Sequence, residues 1–408
     1  MSTPSGEQVQ LRPLREVMRD LVGAFYIPAF FSALSQHAVT IMLPLYALQF
    51  EDGPALAALI LGARGAGVML ADLPAGMLVT RFGDMWIMCV GLGMMVVVTA
   101  AAAFCDSPLG LLLVALASGI GTGLWTMARL VYVTDKVAVE QRGRIIALMA
   151  GVQRGSALIG PALAGISALT LGYAATFLIF AGFYAVSLLA LLMAGKGEKS
   201  VGVAHRVPIG QVVREHARVF ATGGSVMIFL QILRGARLWI IPVWGATLGL
   251  DEATIGIVFS VSSAMDLIMF YPAGLMLDHL GRRIALTPAL LLLGAAAAMM
   301  PFTQTLLSFT LVSMLSGLGN GFSTGIFMTL GGDFAPRHGR GEFLGVWRLV
   351  GDIGAATGPF LIGALAQVGT VATASVATGG LGVLGACVLW AFVPETLHRR
   401  PVSNDDNE

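Results

Sequence analysis

Twelve times along its 408 residues the chain runs apolar for roughly 20 to 28 positions, enough to cross a hydrocarbon core about 30 Å thick. The runs start near Leu21, Pro54, Met85, Leu109, Arg144 and Gly172, then near Ala221, Ala253, Ile284, Leu306, Gly341 and Ala374. Lipid cannot satisfy free backbone groups, and continuous runs of this length are not barrel strands, so the expected fold is an all-α membrane protein with about 12 transmembrane helices. The first run follows Arg12, Arg15 and Arg19, but it is too long for a cleavable signal and is expected to remain as helix 1. Only 12% of the residues are charged and 56% are hydrophobic, so lipid must solvate most of the surface. A formal net charge of +1 gives no field for nucleic acid. Cys89, Cys105 and Cys387 lie far apart and suggest neither a disulfide framework nor a metal site. No enzyme motif appears, and no cofactor is expected.

Basic residues set the expected orientation. Arg81, Lys136, Arg142, Arg144, Lys196, Lys199, Arg282, Arg283, Arg337, Arg340, Arg399 and Arg400 all fall on turns or tails of one side, while the turns around Asp52, Asp106, Leu171, Asp251, Thr303 and Val368 hold neither Lys nor Arg. Both termini are therefore expected in the cytoplasm.

The two halves of the chain repeat at one constant offset. Pro74-Ala75-Gly76 matches Pro272-Ala273-Gly274, a shift of 198 residues (272 less 74), and Gly119, Gly121 and Gly123 match Gly317, Gly319 and Gly321 by the same shift. It also pairs Pro44 with Pro242, Asp135 with Asp333, and Gly160-Pro161 with Gly358-Pro359. The expected organisation is two pseudo-symmetric six-helix bundles, residues 1–194 and 220–408, joined by a polar cytoplasmic linker at 195–219.

At this point the chain resembles the major facilitator superfamily over nearly its full length. The family's signature after helix 2 stands complete in the second half as Gly274, Asp278, Gly281, Arg282 and Arg283, with Asp278 expected to face a helix amino terminus. The first copy keeps Gly76, Arg81 and Gly83 but has Thr80 at the acidic position and Asp84 at a basic one, so a gate resting on that copy is in doubt. Helix 5 partly matches the glycine-proline motif of the family's exporters, through Gly160 and Pro161, but helix 4 has Ala115 where many drug and proton antiporters have arginine. The resemblance to that branch is therefore loose.

A charge near the bilayer centre costs about 2.5 to 3.5 kcal/mol, so each asks for a partner or a water-filled cavity. Arg64, Asp72, Arg129, Arg154, Arg234, Arg237, Asp266, Arg348 and Asp352 lie within the runs, whereas helices 3, 6, 9 and 12 carry none in their spans and are expected to face lipid. A central substrate site is expected from Gln36, His37, Arg234, Arg237 and Trp239. In the fold this chain resembles, helix 2 meets helix 11 and helix 5 meets helix 8, which implies two ion pairs between the halves, Arg64 with Asp352 and Arg154 with Asp266, related by the repeat with the signs exchanged. Asp72 and Arg129, toward one end of neighbouring helices, form an expected structural pair. The resemblance implies secondary transport of a small molecule by alternating access, by a monomer with protons as coupling ion and the lipid bilayer as its surroundings. A proton-driven exporter is the first expectation. Alternatives are an organic-anion importer, exchanger or facilitator using the arginines, and a receptor or assembly partner that transports nothing.

Overall fold

The computed structural model describes residues 25–51, 53–136, 139–194, 208–336 and 339–397. Regular structure among them is helical throughout. In chain order the elements are α1 (Ile27–Ala47), α2 (Gly53–Phe82), α3 (Asp84–Ala102), α4 (Pro108–Lys136), α5 (139–171) and α6 (173–193). After these come α7 (Ile209–Glu215), α8 (Ala217–Thr247), α9 (Glu252–His279), α10 (Arg282–Met299), α11 (Leu306–Phe322), α12 (Ile326–Phe334), α13 (Arg340–Val368) and α14 (Val371–Phe392). Gly172, at φ 83° and ψ 167°, breaks what is otherwise one rod from Val139 to Met193. Ten stretches among the described residues are long and apolar enough to cross a membrane, and the longest, Leu148–Met193, contains that break. Counting its two arms separately and adding the 21-residue α1 gives twelve spans, with α11 and α12 as two pieces of one.

The first bundle holds α1 against α5 and α2 against α4; the second repeats this with α8 against α13 and α9 against α11. On α3, α6, α10 and α14 large apolar side chains such as Trp86, Val97, Leu189, Leu291, Val383 and Trp390 stand exposed, as lipid-facing helices require. Residues 195–207 lie outside the described residues, so of the expected linker only α7 and the start of α8 are visible.

The halves meet along two antiparallel helix pairs, α2 with α13 and α5 with α9. Both seams are tight at one end because small residues let the backbones approach. A Cβ at Gly65 would lie 2.8 Å from Ala356 Cα, one at Gly165 would lie 2.2 Å from the Glu252 carbonyl, and one at Gly256 would lie 2.3 Å from that of Pro161. Trp239, fully buried, adds a bond from its indole N–H to the Pro54 carbonyl at 2.9 Å, tying α8 to the start of α2. Carried onward, the register of α2 and α13 sets Gly76 opposite Gly345, yet a Cβ at Gly345 would meet nothing within 4 Å and one at Gly76 only Met127. Gly151 and Gly155 on α5 and Gly274 on α9 are equally open. The cleft between the halves is therefore closed at the end carrying the turns near residues 50, 105 and 251, and parted at the end where residue 397 lies.

Candidate functional site

A chain of side chains crosses the cleft where the α5–α9 seam loosens. Arg154 on α5 donates from Nη1 to Asp266 Oδ1 on α9 at 2.6 Å and from Nη2 to Thr324 Oγ1 at 2.6 Å, while its guanidinium stacks on Phe270 at 4.6 Å. Asp266 Oδ2 accepts from the Asn320 amide at 2.7 Å, and Asn320 Oδ1 accepts from Arg234 Nε at 3.0 Å. Arg234 also donates to Gln231 at 3.0 Å. The break between α11 and α12, where Gly325 sits at φ +76°, is what places Thr324 beside Arg154. Interrupted helices of this kind line transporter sites because freed backbone is tolerated only beside a cavity.

On the α2–α13 seam, Arg348 stands between two carboxylates. Its Nε lies 3.0 Å from Asp72 Oδ2 and 3.7 Å from Asp352 Oδ2, so the two carboxylates face one guanidinium. The expected pair of Arg64 with Asp352 does not form. The contacts of Gly62 with Phe360, Gly65 with Ala356 and Asp72 with Arg348 fix a register in which Asp352 falls opposite residue 69. That is five residues from Arg64, roughly 7.5 Å along the helix. The two seams are still symmetric, without the expected exchange of sign. Each places its arginine on α5 or α13 and its aspartate on α9 or α2, and the Arg348–Asp72 pair sits one helical turn nearer the open end. Asp72 therefore does not pair with Arg129 either. Arg129 is 3% exposed, lies over the Trp125 ring at 5.4 Å, and leaves Nε and Nη1 without a hydrogen-bond partner.

Two more arginines tie helices within each half. Arg64 reaches the Thr40 hydroxyl on α1 from α2, and Arg237 on α8 donates to Ser262 on α9 at 3.0 Å while stacking on Phe259 at 4.7 Å. Here the repeat exchanges arginine and hydroxyl, because Ser262 is the repeat counterpart of Arg64. Arg237 is buried inside the second bundle beside a small cavity with Leu293, Met300 and Ser316, so it does not face the cleft as expected. Trp239 is a closure residue rather than a pocket wall. Gln36, His37, Arg64, Gln231 and Arg234 are half-buried.

The family model of the Major Facilitator Superfamily matches residues 25–244 and again 219–408. The chain belongs to that superfamily. The chain is similar to the multidrug resistance protein MdtH of Aeromonas hydrophila, 26% identical over 78% of this chain and 81% of that protein. A transporter of the major facilitator type from Methanocaldococcus jannaschii is 26% identical over 36% of this chain, a match spanning only 39% of that relative. Among solved structures, a POT family transporter in complex with a thioalcohol-conjugated peptide superposes with a TM-score of 0.76 at 14% identity, covering 92% of this chain and 96% of that one. The major facilitator fold is thus shared although few residues are. The protein is a membrane transporter, not an enzyme.

In the second half the superfamily signature forms a clasp. Gly281, at φ +104°, turns the chain into α10, and a Cβ there would strike the Glu395 carboxylate at 2.6 Å. Glu395 accepts from the backbone N–H groups of Arg282 at 2.8 Å and Arg283 at 3.0 Å, capping α10 from beyond the end of α14. Arg282 pairs with Asp333 at 2.8 Å, and Arg283 donates to the Val393 carbonyl. Burial pushes the Glu395 carboxyl up, but its four backbone donors outweigh that and hold it below the usual carboxylate range. Asp278 is exposed and, with the seam parted, meets no helix terminus. In the first half Asp84 occupies the place of Arg282, Gly83 turns at φ +92°, Gly76 is open, and Arg81 is exposed beside Phe82. Sequence reasoning missed Thr40, Asn320, Thr324 and Glu395. Only Asn320, a lone amide in an apolar run, gave a signal.

Proposed function

We propose that this protein is a proton-coupled exporter of a small organic solute from the cytoplasm, working by alternating access with both termini inside. The observation that carries the coupling is the Asp72–Arg348–Asp352 cluster on the seam between halves. One guanidinium faces two carboxylates, and like charges that share a site disfavour joint ionisation, so the cluster is suited to carry a proton. Asp266 is a poorer proton site, since Arg154 and Asn320 already satisfy both its oxygens. Protonating the cluster weakens the bridge from Arg348 to α2 and frees the seam to part. Export rests on the likeness to MdtH, and orientation on the basic turns.

Transport in proteoliposomes, with and without an imposed pH gradient, tests this over a panel of organic solutes. Asp72→Asn and Asp352→Asn are expected to lose gradient-driven transport by tenfold or more while keeping solute exchange at equilibrium. Gradient stimulation unchanged in both variants would remove the cluster from coupling.

A further inference from the structure

The charges inside the membrane do not balance, and the imbalance is directional. Each aspartate of the cleft faces a guanidinium: Asp266 that of Arg154, and Asp72 and Asp352 together that of Arg348. Four guanidiniums, those of Arg64, Arg129, Arg234 and Arg237, meet no carboxylate among the described residues. Two of these are closed off. Arg129 and Arg237 are buried inside the bundles on aromatic rings, and each has a sealed nitrogen without a partner.

Arg64 and Arg234 differ. Each is half-buried and neither has a sealed, unpartnered nitrogen, so the donors they leave unused are not closed off as those of Arg129 and Arg237 are. A guanidinium has five N–H donors, of which Arg64 uses one, on the Thr40 hydroxyl, and Arg234 two, on Asn320 and Gln231. Their partners are neutral and hold the fork in place without cancelling its charge. One arginine comes from each half. Counted from the closed ends of α2 and α8, Arg64 lies about 16 Å deep and Arg234 about 20 Å deep, beneath the Trp239–Pro54 closure. Unmatched positive charge at that depth is expensive, and planar forks with free donors suit a carboxylate, phosphonate or sulfonate.

We infer that the transported solute is an organic anion whose acidic group is received in the cleft by Arg64 and Arg234. This rests on the transport reading and names its substrate class. The anion site and the proton cluster use different side chains, so exchange between them runs through the movement of the halves and not through competition for one charge. An inside-negative membrane potential itself favours outward movement of such a solute.

The test uses benzoate, phenylphosphonate, benzylamine and benzyl alcohol, which share one ring and differ in charge. Saturable thermal stabilisation of the detergent-solubilised full chain is measured for each. At least one of the two anions is expected to stabilise, and the amine and the alcohol are not. Arg64→Gln and Arg234→Gln should each weaken anion binding about tenfold or more, the range of a lost charge-assisted bond. Arg64→Lys and Arg234→Lys keep the charge and guard against misfolding of the neutral variants; they should recover part of the affinity. Stabilisation by benzylamine alone, by none of the four, or by an anion equally in all variants overturns the inference. Gradient-driven transport of other solutes that survives such a result would leave the exporter reading standing; binding of an anion with no transport would sink the exporter reading alone.

Discussion

Asp266 places Oδ1 on Arg154 and Oδ2 on the Asn320 amide, whereas Asp72 and Asp352 must share Arg348. That difference in partners separates a carboxylate with both oxygens bonded from two that share one guanidinium, although all three look alike in sequence. A buried ion pair contributes little net stability once desolvation is counted, yet removing one partner leaves the other stranded at a cost of about 3 to 5 kcal/mol. At the membrane face, Glu395 offers a cleaner measurement because its partners are backbone N–H groups. Its carboxyl is held below the ordinary glutamate range, so its stabilisation is present above that range and is lost as pH falls through the depressed value. Glu395→Gln is therefore expected to destabilise the protein by about 1 kcal/mol at pH 7, as other lost helix caps do, and hardly at all at pH 3. Denaturation midpoints of the two proteins at both pH values check this, and an equal deficit at pH 3 would show that the carboxylate charge is not the cause.

Whole helices carry the opening and closing, and here the sequence was partly transparent. The 198-residue repeat announced which helices correspond, and the charge count identified the lipid-facing ones. The pairing of Arg154 with Asp266 was legible because both lie at similar depth on helices that meet across the seam. Arg64 with Asp352 was misread because depth estimated from helix starts carries an error of a turn, while the register of α2 and α13 is fixed by where Gly62 and Gly65 let Phe360 and Ala356 in. The break at Ser323 to Gly325 was illegible for a different reason, since glycine inside an apolar span signals close packing as readily as a positive φ. These seams predict a test. Gly256→Val forces a side chain against the Pro161 carbonyl, and overpacking of this kind costs about 1 to 3 kcal/mol, enough to favour the state in which α5 and α9 have parted. In a background with Cys89, Cys105 and Cys387 replaced by serine, a cysteine at Ser260, which is 6% exposed and bonded to the Ala162 N–H at 3.0 Å, should then react at least fivefold faster with an impermeant thiol reagent. Unchanged reactivity would mean that the glycine seam does not govern closure.

At the scale of the molecule, the two bundles meet along these two seams, with smaller contacts of α8 on α1 and α2, so motion of one half against the other is the inexpensive deformation. In the state described, the cleft is shut above Arg64 and Arg234 and open below Asp72 and Arg348. On the proposed reading the charged Arg348 bridge holds that state, and a proton on Asp72 or Asp352 releases it. Nitroxide labels at Gly76→Cys and Gly345→Cys, which face each other across the parted end, report this directly by pulsed electron resonance in lipid. Lowering the pH from 8 to 5 should add a shorter-distance population, and Asp72→Asn should show that population at both pH values. A single distance distribution, unmoved by pH and identical in Asp72→Asn, would contradict an alternating-access cycle driven by protonation of this cluster.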